Sequence, residues 1–206
     1  MSKEIPAEDP VKRRNTLFQA ITGRRGAQTS GSATADVRGM LSTLYSTSRR
    51  GESVIDTRAA AKGLGVSQRT VQRWLKADAK PAGVNLQKLT KKSRQAATTK
   101  RGRAATIRRT ANPDFRKNGA KVEIRGWMGP SDDPQYKRNR RAMQNLTPEQ
   151  YEGLLDAYAQ GGDEAAMAYV QSVFHDSYVD DFRFNTVDRF DLHSLSELER
   201  QDFRNL

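Results

Sequence analysis

Asp56 to Lys76, DTRAAAKGLGVSQRTVQRWLK, reads as two short helices joined by a tight turn. Ala60, Ala61 and Leu64 fall on one helical face, and small Ala61 lets two helices cross closely. Gly65 permits a backbone angle that is costly for residues with a Cβ. Ser67 then offers a hydroxyl to the free N–H groups of Arg69 or Thr70, so a second helix should begin at Gln68. Val66, Val71 and Trp74 close a miniature core, which turns Gln68, Arg69, Gln72, Arg73 and Lys76 outward. Arg pairs with guanine O6 and N7, Gln with adenine N6 and N7, and Lys acts as a point charge. The expectation is a helix-turn-helix in which Gln68, Arg69, Gln72 and Arg73 read bases while Thr70 and Lys76 hold phosphates. The plainer alternative is an amphipathic hairpin that only fills a core. Against it stands the coincidence of small residue, glycine turn, capped helix and two large apolar residues in a single register.

Upstream, Val37, Met40, Leu41, Leu44 and Tyr45 follow the helical repeat and predict the first helix of this N-terminal helix-turn-helix bundle, spanning residues 35–80. Residues 1–34 read as a flexible basic arm and linker. Its first 14 residues mix Pro6 and Pro10 with acids and the cluster Lys12, Arg13, Arg14, which suits a mobile arm touching phosphates. Leu17, Phe18 and Ile21 predict a short helix ending at Gly23, and GRRGAQTSGSATA shows no apolar pattern.

Downstream, residues 81–118 form a basic helical connector. Between Pro81 and Pro113 no acidic residue occurs, while Lys88, Lys91, Lys92, Arg94, Lys100, Arg101, Arg103, Arg108 and Arg109 supply nine positive charges. Mutual repulsion should strain such a helix in isolation, so full ordering is expected only against a phosphate backbone. A solvated basic tail is the alternative. The stretch also carries hydroxyls at Ser93, Thr98, Thr99, Thr106 and Thr110.

Residues 119–192 change period. KVEIRGWM, Lys121 to Met128, alternates Val122, Ile124, Gly126 and Met128 on one face with Glu123, Arg125 and Trp127 on the other, a strand signature. Tyr136 to Met143 predicts a helix. Thr147, Pro148 and Gln150 carry the signals of a capped helix presenting Tyr151, Leu154, Leu155 and Tyr158, and Asp163 opens another with Ala166, Met167, Val170, Val173 and Phe174 inward. Tyr178 to Phe184 and Val187 to Leu192 read as strands. The expected class is α+β, with a small acidic C-terminal α+β domain of two central helices and about three strands. A polar tail, 193–206, follows, with a terminal helix capped by Ser194.

The charge divides with the chain. Residues 1–118 hold 26 Lys and Arg against 8 Asp and Glu, and residues 119–206 hold 10 against 16, within an overall balance of +12. A nucleic-acid module joined to an acidic oligomerisation or partner module has this asymmetry. An apolar share of 35% means that some of the chain is solvated or held on a partner. The absence of cysteine excludes disulfides and thiolate metal sites and suits a reducing compartment. No apolar run approaches the roughly 20 residues that span a bilayer, and the first residues lack an apolar signal core, so a soluble, cytoplasmic, nucleoid-associated protein with no membrane partner is expected.

Catalytic chemistry has little to start from. The two histidines, His175 and His193, lie 18 residues apart, no glycine-rich phosphate loop or nucleophile elbow occurs, and the pairs Asp132, Asp133 and Asp180, Asp181 suit solvated loops better than a two-metal nuclease site. The reading is therefore not an enzyme, with no metal and no cofactor.

VSQRTVQRWLK, the AATT run at Ala96 to Thr99, VEIRGWMGPSDDPQYKR, LTPEQYEGLLDAYAQGGD and the FDL at Phe190 to Leu192 together resemble the telomere terminal proteins of actinomycete linear chromosomes and plasmids. The resemblance covers roughly residues 54 to 192. It implies a protein joined through a hydroxyl side chain to the 5′ end of DNA, priming end-patching synthesis by a DNA polymerase and working with a telomere-associated protein. Thr98 and Thr99 are the nearest threonine run and the candidate nucleotide acceptors. The expected function is a DNA-binding protein that caps or primes the ends of a linear replicon. The alternative is a non-covalent helix-turn-helix transcriptional regulator or plasmid replication accessory protein whose acidic half forms a homodimer or recruits a partner.

Overall fold

A computed structural model of the chain describes residues 5–29, 36–49, 52–130, 134–177 and 182–204. The first helix, α1 (Pro10–Thr22), starts where the Asp9 carboxylate accepts from the N–H groups of Val11 and Lys12 at 2.9 and 3.2 Å, with proline at the first position. A mobile arm was the expectation for residues 1–14; from Pro10 onward the chain is instead helical. Lys12, Arg13 and Arg14 each pair with an acidic side chain: Lys12 reaches Asp188 at 2.6 Å, and Arg13 and Arg14 reach Asp163 at 2.9 and 3.3 Å. Leu17, Phe18 and Ile21 enter the larger of two apolar clusters.

The smaller cluster gathers α2 (Val37–Tyr45), α3 (Thr57–Leu64) and α4 (Gln68–Leu75) around Met40, Leu41, Ala60, Ala61, Leu64, Val71 and Trp74. Asp36 and Asp56 cap α2 and α3. Between them runs a hairpin absent from the sequence reading, β1 (Ser46–Arg49) paired antiparallel with β2 (Glu52–Ile55). Leu89 of α5 (Gly83–Thr98) completes this cluster, whereas Ala97 at the other end of α5 and Ile107 of α6 (Lys100–Thr110) join the larger one. Up to residue 110 the basic connector is therefore two helices, ordered by the apolar side chains it inserts at both ends. Ordering only against phosphate, as the charge alone suggested, is not what the fold requires. The two helices meet at Thr99, whose hydroxyl caps α6 by accepting from Gly102 N–H at 3.0 Å.

After the short α7 (Pro113–Asn118), β3 (Ala120–Pro130) forms the centre of an antiparallel sheet. β4 (Arg138–Leu146) lies on one side of it, with β5 (Phe182–Phe184) and β6 (Arg189–His193) end to end on the other. Val122, Ile124 and Met128 face α8 (Pro148–Gly161) and α9 (Asp163–Ser177), which bring Tyr151, Leu154, Leu155, Tyr158, Val170 and Phe174 to the core. The capping box expected at Thr147 and Gln150 forms in both directions. The helix expected over Tyr136 to Met143 is replaced by a 3₁₀ turn, Pro134–Tyr136, and strand β4. Pairing with β3 places Ala142 beside Ile124 and Leu146 beside Ala120, and this long-range ladder overrides local helix preference. Of the strand expected over Tyr178 to Phe184, residues 178–181 lie outside the described residues. The terminal helix α10 (Glu197–Arg204) is capped by Ser196, not Ser194, through reciprocal bonds with Glu199 at 2.8 and 3.4 Å. It is tied to the sheet: Lys121 pairs with Glu199, and that hydrogen bond, helped by Ser196, holds the Glu199 carboxyl at about 2.

One close approach fixes how β3 meets the connection between β5 and β6. A Cβ on Gly126 would stand 2.0 Å from the Thr186 carbonyl oxygen, while Asn185 N–H donates to Trp127 O at 2.8 Å and Trp127 N–H to the Thr186 hydroxyl at 2.9 Å. Gly126→Ala should destabilise the chain by about 1–3 kcal/mol in urea unfolding. Gly83→Ala, where an added Cβ meets nothing within 4 Å, should be neutral or stabilising by at most about 1 kcal/mol.

Candidate nucleic-acid interface

The turn between α3 and α4 follows from its residues. Gly65 takes a φ of 74° and donates its N–H to Ala61 O at 2.9 Å, and Ser67 Oγ accepts from Thr70 N–H at 3.1 Å. Val71 is fully buried and Trp74 is 7% exposed, so one face of α4 is consumed by the core. Arg69, Gln72, Arg73 and Lys76 lie exposed on the rest, and among the described residues their side chains have no hydrogen-bond or ion-pair partner. Gln68 differs from them. It is half-buried, and its amide nitrogen donates to Thr57 Oγ1 at 2.8 Å, bracing the start of α4 against the start of α3. The Thr70 hydroxyl bonds that of Ser67 at 2.8 Å.

The candidate phosphate ligands separate into two groups. Lys91, Arg94, Lys100, Arg101, Arg108 and Arg109 are exposed along α5 and α6. Lys88 and Lys92 instead donate to the carbonyls of Leu64 and Gly63 at 3.1 and 3.0 Å. They satisfy the open C-terminal end of α3 and place positive charge where its dipole favours it. Arg103 is only 7% exposed; it donates to Thr98 O and Gln160 O at 2.8 Å and to Ala159 O at 3.3 Å, locking the junction of α5 and α6 onto the end of α8. These three cations work inside the chain.

Each candidate acceptor hydroxyl is also engaged. Thr98 donates to Arg94 O at 2.9 Å and Thr99 to Gln95 O at 2.8 Å, the latter while capping α6. Ser93, Thr106 and Thr110 likewise donate to carbonyls within their own helices.

Two features of the structure had no counterpart in the sequence reading. Arg24, from the presumed linker, is buried; it donates to Thr43 O and, at 3.2 Å, to Ser46 O, and burial together with the charge of Arg109 pulls its guanidinium down to about 10. The second feature lies on the sheet face turned away from α8 and α9, where Glu123 is 5% exposed. Burial opposes its ionisation, but Arg141 at 2.6 Å and Arg125 at 3.0 Å outweigh that and hold its carboxyl below the usual carboxylate range. His193 approaches the same carboxylate at 3.5 Å. The alternation of Glu123, Arg125 and Trp127 was visible as a strand face, but its partners across the sheet were not.

Among the described residues no group of three or more His, Asp or Glu side chains is placed to hold a metal ion, and no helix is long and apolar enough to cross a membrane. The pairs Asp132, Asp133 and Asp180, Asp181 lie outside the described residues. No family model matches the chain, and no match to it is found among curated proteins or solved structures.

The two groups of cations should separate in the folded protein alone. Arg103→Met removes a buried charge from three carbonyls and should lower stability by about 2–3 kcal/mol. Arg101→Ala should stay within about 0.5 kcal/mol of the parent. Chemical denaturation of the three proteins measures both.

Proposed function

We propose that the chain is a duplex DNA-binding protein in which α3 and α4 act as a helix-turn-helix and α4 enters the major groove. The observation that carries this reading is the division of α4: Val71 and Trp74 are buried, while Arg69, Gln72, Arg73 and Lys76 are exposed and have no partner among the described residues. Long cationic and amide side chains at one helical face match base edges in a groove of B-form DNA. Gln68 braces the helix and presents what remains of its amide. Lys76, Lys91, Arg94, Lys100, Arg101, Arg108 and Arg109 are the side chains available to hold phosphates. If about six of them do so, affinity should fall roughly a thousandfold over a modest rise in salt.

The resemblance to telomere terminal proteins extends this proposal to the ends of a linear replicon, with a DNA polymerase and a telomere-associated protein as partners. A non-covalent role, as regulator or replication accessory factor, is the second reading. It is favoured by one observation: Thr98 and Thr99 spend their hydroxyls on helix carbonyls. Mass spectrometry of the protein recovered with nuclease-treated native DNA separates the two, since only covalent attachment leaves a nucleotide adduct on a hydroxyl.

Selection from a random duplex library tests the proposal itself. The full chain should enrich one motif. Arg73→Ala should bind that motif more weakly by about 1–3 kcal/mol with relaxed base preference, and Lys91→Ala should weaken all sequences alike and lower the salt slope by about one. A variant lacking Arg73 that selects the same motif with unchanged affinity contradicts the placement of α4.

A further inference from the structure

We propose that the open face of the sheet formed by β4, β3 and β6 is a second nucleic-acid surface, a platform for single-stranded DNA. The inference stands on the sheet and does not rest on the reading of α4.

Register puts the relevant side chains together. Arg125 pairs directly with Arg141 on β4 and with Arg189 on β6, so three guanidinium groups occupy one rung across three strands. Their side chains are 49, 50 and 59% exposed. Neighbouring strands lie about 5 Å apart, and like charges set directly opposite one another oppose pairing. Repulsion along such a row works against the fold. On the next rung, toward the β5 end, Trp127 pairs with exposed Asn139, and on the rung before it Glu123 pairs with Met143 and Asp191.

Glu123 and Asp191 make the row tolerable and also orient it. The buried Glu123 carboxylate grips Arg125 and Arg141 from below, and Asp191 takes Arg189. Three arginines against two carboxylates leave the rung positive, with planar forks held in place before any ligand arrives. Preorganised guanidinium groups beside an indole on an open sheet supply both needs of single-strand recognition: cations for the backbone and a flat surface on which a base stacks. A duplex hides its base faces, so the tryptophan discriminates in favour of a single strand. Beyond the β6 edge the platform continues into an open groove of about 780 Å³, where Arg25, Ser53 and Asn112 face Arg189 and His193.

The test uses the full chain and a fluorescein-labelled oligothymidine of about 15 nucleotides. In Trp74→Phe, Trp127 is the sole tryptophan, and the oligomer should quench its emission on binding. Trp127→Ala should raise the Kd for the oligomer by roughly 5- to 150-fold, the range for losing one stacked base. Arg189→Gln, which leaves the Glu123 cluster intact, should also weaken it, and keeps the question open to measurement should Trp127→Ala unfold. Arg69→Ala/Arg73→Ala should bind the oligomer like the parent, whatever it does to duplex binding. Unquenched Trp127 emission, single-strand affinity unchanged in both sheet variants, binding to an RNA oligomer but not to DNA, or loss of oligothymidine binding only in the α4 variant would each overturn the platform.

Discussion

An eight-residue helix can bury only one face, and in α4 that face is taken by Val71 and Trp74. Once these two side chains sit against Met40, Leu41, Ala60 and Leu64, the rotation of α4 is fixed and Arg69, Gln72, Arg73 and Lys76 have nowhere to go but outward. The surrounding contacts hold that setting. Ser67 fixes the start of the helix, Gln68 ties it to Thr57, and Gly65 allows the abrupt change of direction from α3. Lys88 and Lys92 then clamp the end of α3 from α5, so the pair of helices is braced from both sides. The proposed base-reading face is thus a consequence of core packing, and among the described residues no acid pairs with its cations.

The α5 and α6 rod joins this unit to the rest of the molecule. A run of nine cations without an acid looks unable to order itself, yet the inward side chains recur at helical spacing: Leu89, Ser93 and Ala97 on α5, then Arg103, Thr106 and Ile107 on α6. Apolar burial at both ends offsets repulsion among side chains that mostly project into water, where charges are screened. Arg103 carries the junction. Its guanidinium satisfies carbonyls from α5 and α8 at once, which makes the break at Thr99 a defined corner.

Features set by neighbouring residues were legible from the sequence. The α2 repeat, the Gly65 turn, the Ser67 cap and the Thr147 capping box each involve residues a few positions apart, and each forms as expected. Features set by distant partners were not. RNRRAMQNL has no strand signature of its own and becomes β4 because β3 accepts it in register. The arm at Lys12 to Arg14 looked free because Asp163 and Asp188 lie some 150 residues or more away along the chain. Nothing in the basic run distinguishes Lys88, Lys92 and Arg103 from their neighbours, since only the folded chain brings carbonyls within their reach. Counting charge by halves had the same weakness. An acidic second half conceals three arginines that the sheet aligns on one rung.

If α4 is the element that meets duplex DNA, its backbone amides should register the contact. Amide chemical-shift mapping of the ¹⁵N-labelled chain, titrated with its selected duplex, tests it most directly, because each backbone N–H reports its own surroundings. The largest changes should fall between Ser67 and Lys76, with smaller ones along the exposed sides of α5 and α6. Saturable binding that leaves the α4 amides unmoved and shifts residues elsewhere would contradict it.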